Sequence, residues 1–271
     1  MAAAAARGVA ASLRAPSRLH AFNRYEIKYL VDVSAVDGLR QQLAGRMDPE
    51  DQYGVWSLYY DTPQLRFYWE KIEGLRFRRK LRLRHYGSPH TLTDDRPVYV
   101  EIKQRVNRVT QKRRIALPYR EARRLCDGRE LVDHGAEDQG FVNEVLGLVS
   151  GLDLRPVVIT GYQREAYVGR DAELGLRITV DQRVRGRDRD LRLDLESENR
   201  LILPASRAVV EVKANERVPY WFTDLAAERG LSVVRISKYC QSVEAFGRAP
   251  RSIFHVPDSD TEALEPEGIQ R

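Results

Sequence analysis

Residues 24–31 read RYEIKYLV, and how they alternate decides the fold. Arg24, Glu26 and Lys28 fall on one face, while Tyr25, Ile27 and Tyr29 fall on the other. A period of two predicts a β-strand whose faces differ in character. The polar face carries three full charges in a row, so it either meets water or lines an interior that needs charge. The pattern recurs along the chain. FRRKLRLRHYG (77–87) sets Lys80, Arg82 and Arg84 against Leu81 and Leu83. VYVEIKQR (98–105) sets Tyr99, Glu101 and Lys103 against Val98, Val100 and Ile102. Further strands are predicted at 55–62, 110–117, 156–168, 173–184, 192–197 and 207–214.

Helical periodicity interrupts the strands. Residues 34–45 carry Val36, Leu39 and Leu43 as a stripe, with Ser34 as the expected N-cap. Short helices are predicted at 64–71 and 119–128, and a longer one at 139–151 with Phe141, Val145 and Leu148 on one face. Residues 218–230 place Pro219 near the first turn of a helix and Gly230 just past its end. Residues 231–247 read as a short strand turning into a helix. Many antiparallel strands with a few peripheral helices predict an α+β fold built on a sheet or closed barrel. One domain over 21–248 is expected, between a disordered Ala- and Arg-rich leader (1–20) and a disordered acidic tail (249–271).

The 271 residues are 42% hydrophobic and 31% charged, which fits a soluble, cytoplasmic globular protein. No apolar run approaches the roughly 20 residues of a membrane span. A net charge of +6 points to an anionic partner. Only 7 of the 45 basic residues are lysine, and five of these (Lys28, Lys80, Lys103, Lys112 and Lys213) fall in predicted strands. Cys126 and Cys240 offer no zinc spacing. No GxxxxGK[ST] or HExxH is present, and the five histidines are scattered.

Aligned, the polar faces repeat one theme: Lys80, Arg82 and Arg84; Glu101 and Lys103; Tyr162 and Arg164; Glu173, Arg177, Thr179 and Asp181; Glu211 and Lys213. Solvated faces mix signs, because like charges on adjacent strands repel. Basic residues recurring across several strands cost stability unless an anion fills the space between them. A closed barrel with a cationic lumen suits a chain of phosphates, and its few carboxylates suit a divalent metal bridging phosphate oxygens. The aromatic residues Trp56, Tyr59, Tyr60, Phe67, Tyr68 and Trp69 are expected in the core.

Eight motifs in order carry a family resemblance: RYEIKYLV, LYYDTPQLRFY, KLRLRHYG, VEIKQ, GYQREAY, LRITVDQ, VVEVKA and ISKYCQSVEAFG. Over roughly 20–247 the chain resembles VTC domains, the polyphosphate polymerase domains of the vacuolar transporter chaperone family within the triphosphate tunnel metalloenzymes. The resemblance implies an antiparallel β-tunnel that builds polyphosphate from ATP with a divalent metal, Mn²⁺ or Mg²⁺. Carried over by motif, it implies catalytic roles for Lys28, Arg82, Arg84, Lys103, Arg164 and Lys238. It implies substrate contacts for Lys112 or Arg114, Tyr162, Arg177, Lys213 and Ser237, and metal binding by Glu211. Arg24 stands where wider tunnel enzymes often have the first glutamate of ExExK, which argues against the ordinary triphosphatase. The membrane and SPX domains of eukaryotic relatives are absent from these residues, so a stand-alone enzyme is expected.

Phosphoryl transfer rests on positioning and charge stabilisation. A terminal phosphate is already an oxyanion near neutral pH, so no general base is required. Two rivals remain at this point: a metal-dependent triphosphatase of the same fold, and a non-catalytic module binding polyphosphate or another anion. Nucleic acid is the weaker partner, since the basic residues alternate into an expected interior and no RRM, KH or helix-turn-helix pattern appears.

Overall fold

The computed structural model describes residues 25–249, except Arg108, Asp171, Ala172, Leu174 and Glu216. Arg24, the leader and the tail beyond Ala249 lie outside the described residues. Ten strands form one antiparallel sheet in the order β1-β10-β8-β7-β3-β4-β5-β6, with β2 added to β7 and β9 to β8. The strands are β1 (Tyr25–Asp32), β2 (Met47–Pro49), β3 (Tyr53–Asp61), β4 (Phe77–Tyr86), β5 (Pro97–Val106), β6 (Val109–Pro118), β7 (Arg155–Gly169), β8 (Arg177–Arg187), β9 (Arg200–Leu201) and β10 (Arg207–Ala214). The helices are α1 (Val36–Ala44), α2 (Arg66–Ile72), α3 (Tyr119–Cys126), α4 (Ala136–Gly151), α5 (Tyr220–Glu228) and α6 (Lys238–Ala245).

The period-two pattern translates directly into two faces. Leu58, Leu81, Leu83, Val100, Ile102 and Ile159 point outward into a core shared with Leu125 of α3 and Val142, Val145 and Val149 of α4. Tyr29, Val31, Ile178, Val180, Val210 and Val212 do the same in a second core with Leu39 and Leu43 of α1 and Phe222 of α5. Burying these aliphatic side chains contributes about 1.5–3 kcal/mol each. Helices α1, α3, α4 and α5 therefore coat the outer face, while the charged residues are turned to the other side, which α2 and α6 also reach. Gly161 is needed where β7 passes Trp56: a Cβ there would lie 2.4 Å from the indole.

The sheet curls until β5 reaches β1 through a side-chain contact, but it does not close by backbone pairing. Lys103 of β5 donates to Glu26 of β1 at 2.8 Å, although the two strands stand far apart in the sheet order. The free edge of β1 is taken by residues 233–234 instead of β6: Val234 N–H donates to Lys28 O at 2.8 Å, and Tyr29 bridges Val233. The expected closed barrel is thus corrected to a curled sheet whose seam is filled by a strap and by ion pairs.

Other expectations also shift. Asp32, not Ser34, caps the first turn, which is a 3-10 turn (Val33–Ala35) leading into α1. Strand β8 begins at Arg177 rather than 173. The strand expected at 192–197 is irregular. The buried Arg187 explains this: its guanidinium donates to the carbonyls of Asp190, Arg192 and Leu195, drawing the backbone into a loop rather than a ladder. The strand expected at the start of 231–247 is reduced to the single bridge at Val233. The short strands β2 and β9 had no alternation long enough to mark them.

Candidate functional site

Inside the curl lies a cavity of about 1050 Å³. Thirteen basic and three acidic side chains line it, so its walls are strongly cationic. Alternation along the strands delivers most of them: Glu26 and Lys28 from β1, Lys80, Arg82 and Arg84 from β4, Lys103 from β5, Arg164 from β7, and Glu211 and Lys213 from β10. Lys28 stands opposite Glu211, and Lys80 opposite Lys103, in the strand registers. Helix α6 brings Ser237 and Lys238 to the same wall.

Three carboxylates organise the cations. Glu211 sits at the centre, with Lys238 Nζ at 3.0 Å, Lys28 Nζ at 3.3 Å, Lys213 Nζ at 3.4 Å and Arg164 Nη2 at 3.7 Å. Burial would raise its pKa, but these four cations hold it well below the ordinary carboxylate range. Asp181, fully buried, receives Arg164 through Nε at 2.6 Å and Nη2 at 2.7 Å, and Lys238 at 2.6 Å. Burial opposes its ionisation too, and Lys238 and Arg164 override it. Glu101, also fully buried, accepts from Arg82 Nε at 2.7 Å and faces Lys112 Nζ at 2.5 Å, with Arg84 and Arg114 each at 3.9 Å. Against the burial cost, Arg82, Lys112 and Arg84 keep its pKa well below the ordinary range.

The entry of α6 depends on a fourth buried acid. Asp61 accepts from the backbone N–H of Thr62, Phe67 and Tyr68 at 2.7, 2.8 and 2.9 Å, which starts α2. It also accepts from Tyr239 Oη at 2.5 Å, tying α6 to the same point. Ser237 Oγ caps α6 by accepting from Cys240 N–H at 3.3 Å, and it accepts from Lys80 Nζ at 2.6 Å. A helix start carrying Ser237 and Lys238 therefore faces the cavity with its positive end.

The residues singled out from the sequence divide into two groups. Lys28, Arg82, Arg84, Lys103, Tyr162, Arg164, Glu211, Lys213, Ser237 and Lys238 line the cavity together. Lys112, Arg114 and Arg177 are not among its lining residues. Lys112 and Arg114 serve Glu101 from β6, and Arg177 pairs with Glu50 at 2.6 Å and donates to Tyr53 Oη at 3.2 Å. Sequence reasoning missed Lys71, Arg79, Arg235, Tyr239 and Tyr59 as lining residues. Tyr59 was expected in the core with its aromatic neighbours. Its own parity with Val55 and Ser57, opposite to that of Trp56, Leu58 and Tyr60, was the available signal.

Two carboxylates, Glu211 and Glu26, lie near enough to share Lys28, at 3.3 and 3.5 Å. Among the described residues no cluster of three or more His, Cys, Asp or Glu side chains could hold a metal ion. This donor set fits an ion that arrives with phosphate oxygens completing its coordination, and does not fit a cage built by protein alone.

The fold and the cavity together define an α+β protein in which a curled antiparallel sheet, coated by helices, encloses a cationic chamber. The chain belongs to the VTC domain family, whose model matches residues 23–246. It is 30% identical over 229 residues to vacuolar transporter chaperone complex subunit 4 of Trypanosoma brucei brucei, covering 72% of this chain and 29% of that protein. The corresponding subunit of Trypanosoma cruzi is 27% identical over 229 residues, with 72% and 28% covered. The chain thus spans less than a third of the length of these relatives. Among solved structures, distant likenesses include a putative adenylate cyclase from Bacillus halodurans, with TM-score 0.47, 13% identity, and 79% of this chain and 95% of that chain covered. A putative adenylyl cyclase from Hippeastrum, described as having a dominant triphosphatase activity, gives TM-score 0.44 and 14% identity over 85% of this chain and 100% of that one.

No helix among the described residues is long and apolar enough to cross a membrane.

Proposed function

We propose that this chain is a metal-dependent polyphosphate polymerase that transfers the γ-phosphate of ATP to a growing polyphosphate chain inside the cationic chamber. The observation that carries the reading is the charge of the cavity wall, thirteen basic side chains against three acidic ones in a VTC domain. The subunit-4 relatives are named for a transporter chaperone complex, and polyphosphate as substrate and product comes to this chain as part of the proposal.

In this reading Arg82, Arg84 and Arg164 meet phosphate oxygens through the N–H groups that Glu101, Ser57 and Asp181 leave uncommitted, while Lys28, Lys103, Lys213 and Lys238 act as compact point charges. Their summed charge holds donor and acceptor phosphates in line and offsets the charge spread over the transferring group. The acceptor oxygen needs no base, which agrees with a chamber that has no histidine in its wall. Glu211, assisted by Glu26, would hold the divalent ion, Mn²⁺ or Mg²⁺. When bound, such an ion neutralises charge on the β- and γ-phosphate oxygens. Lys238 and Arg164 keep Glu211 ionised and aimed inward.

The test is incubation of the full chain with ATP and Mn²⁺ or Mg²⁺, with products resolved on a polyphosphate gel beside Glu211→Ala. A metal-dependent ladder lost in the variant is expected. Orthophosphate without a ladder would replace the reading with a triphosphatase, and tight tripolyphosphate binding without turnover would replace it with an anion-binding module.

A further inference from the structure

Three of the five N–H donors of Arg82 are already committed within the protein. Its Nε and Nη2 both go to Glu101 Oε2, at 2.7 and 2.6 Å, which fixes the plane of the guanidinium. Its Nη1 donates to Tyr59 Oη at 3.0 Å. An incoming anion cannot take the Glu101 side without stranding a fully buried carboxylate. It can take the Nη1 side, where the present acceptor is a phenol oxygen in the cavity wall.

We propose that Tyr59 is a placeholder for phosphate: its oxygen occupies the Arg82 Nη1 position in the free chain, and an entering phosphate oxygen displaces it. On displacement Tyr59 takes up one proton from solvent and donates its O–H to the phosphate. This deepens the polyphosphate reading and rests on it, because the displacing group is an oligophosphate.

The surroundings of Tyr59 favour the ionised phenol while no phosphate is present. From β4 it faces Arg82, Arg84 and Lys80. Burial alone would raise its pKa, but these three cations bring it down to about 7. From α6, the Tyr239 ring lies 5.0 Å away at 30°, with its hydroxyl already committed to Asp61, and Cys240 shares the same cluster. From α2, Tyr68 joins that cluster with its hydroxyl donated to Glu244, and from β7 the neighbour is the uncharged Val158. Glu101 of β5 stands behind Arg82. A polyanion entering beside Tyr59 adds negative charge to this ring of cations and drives the phenolate to pick up its proton.

The binding step is therefore linked to pH in a defined direction. The protonated phenol is the form that accompanies phosphate, so affinity falls as pH rises above the free value near 7. The slope contributed by Tyr59 approaches about tenfold per pH unit. Tripolyphosphate and the chamber lysines titrate as well, and comparison with Tyr59→Phe removes their contribution because that variant keeps the ring and loses only the hydroxyl.

The experiment is a tripolyphosphate titration of the full chain, followed by calorimetry for binding and by the near-ultraviolet tyrosinate band for ionisation. Near pH 8, saturation should bleach the band by the equivalent of one tyrosinate in the wild type and leave Tyr59→Phe unchanged. The ratio of wild-type to variant affinity should fall about fivefold from pH 7 to pH 8. Calorimetric binding with no change in the band would overturn the role of Tyr59 while leaving the phosphate chamber standing. Absence of tripolyphosphate binding would overturn both.

Discussion

Replacing Asp181 with asparagine should weaken the fold and strengthen phosphate binding at once. Asp181 is fully buried and neutralises Arg164 and Lys238 through three contacts of 2.6–2.7 Å. Removing one partner of a buried ion pair costs about 3–5 kcal/mol, since the remaining charges stay desolvated. The lower end applies here, because Glu211 still faces Lys238 at 3.0 Å and Arg164 at 3.7 Å. About 3 kcal/mol lowers Tm by roughly 6–12 °C for a domain of this size. The chamber meanwhile gains one net positive charge. At an effective dielectric near 20, one charge acting over about 10 Å is worth on the order of 1.5 kcal/mol, or roughly tenfold in affinity. Thermal unfolding with and without tripolyphosphate reads both effects. In the free state the variant should melt earlier, and its ligand-induced rise in Tm should exceed that of the wild type. An unchanged Tm would show that Asp181 is not the counter-charge described. A smaller ligand-induced rise would refute a phosphate site bounded by Arg164 and Lys238.

Glu101→Gln should lower stability by about 3–5 kcal/mol, because Arg82, Arg84 and Lys112 lose their common partner, and tripolyphosphate should recover part of that loss; an inert variant in urea titration would contradict the pairing. Stability of the free chain should rise from about pH 7 to pH 9. Tyr59, brought to about 7, and Lys213 and Lys71, lowered by burial to about 8, then bind protons less readily folded than unfolded. At the acid end the depressed carboxylates Glu211, Glu101 and Asp181 contribute stability that is present above about pH 4 and lost as pH falls below it. Urea midpoints measured across this range test both limbs, and a midpoint falling between pH 7 and pH 9 would contradict the first.

Much of the site was legible because a strand sorts its side chains by parity alone. Apart from Arg79, RYEIKYLV, FRRKLRLRHYG and VYVEIKQR put their charges on one face and most of their apolar residues on the other, and the structure seats Tyr29, Val31, Leu81, Leu83, Val100 and Ile102 under the helices. Ten of the residues chosen from the sequence and its resemblance line one cavity, eight of them for that reason and Ser237 and Lys238 from the start of α6. Parity is a local property, fixed by the pleat and independent of partners. It says which face a residue occupies and nothing about what stands across the interior.

The rest needed the curl of the sheet. Lys103 meets Glu26, Lys238 meets Asp181 and Glu211, and Tyr239 meets Asp61 only because segments remote in sequence converge. Those encounters decide which cations are already committed to carboxylates, as with Lys112 and Arg114 on Glu101, and which face the chamber. The seam is of the same kind: the sequence marks a short strand at the start of 231–247, but nothing in it names the edge of β1 as the partner of residues 233–234. By itself the sequence determined the strands, their two faces and the basic character of one of them. The tertiary structure alone decided the pairing of buried charges and the place of Tyr59 on Arg82, because electrostatic energy depends on distance and burial across the fold, and neither is a function of spacing along the chain.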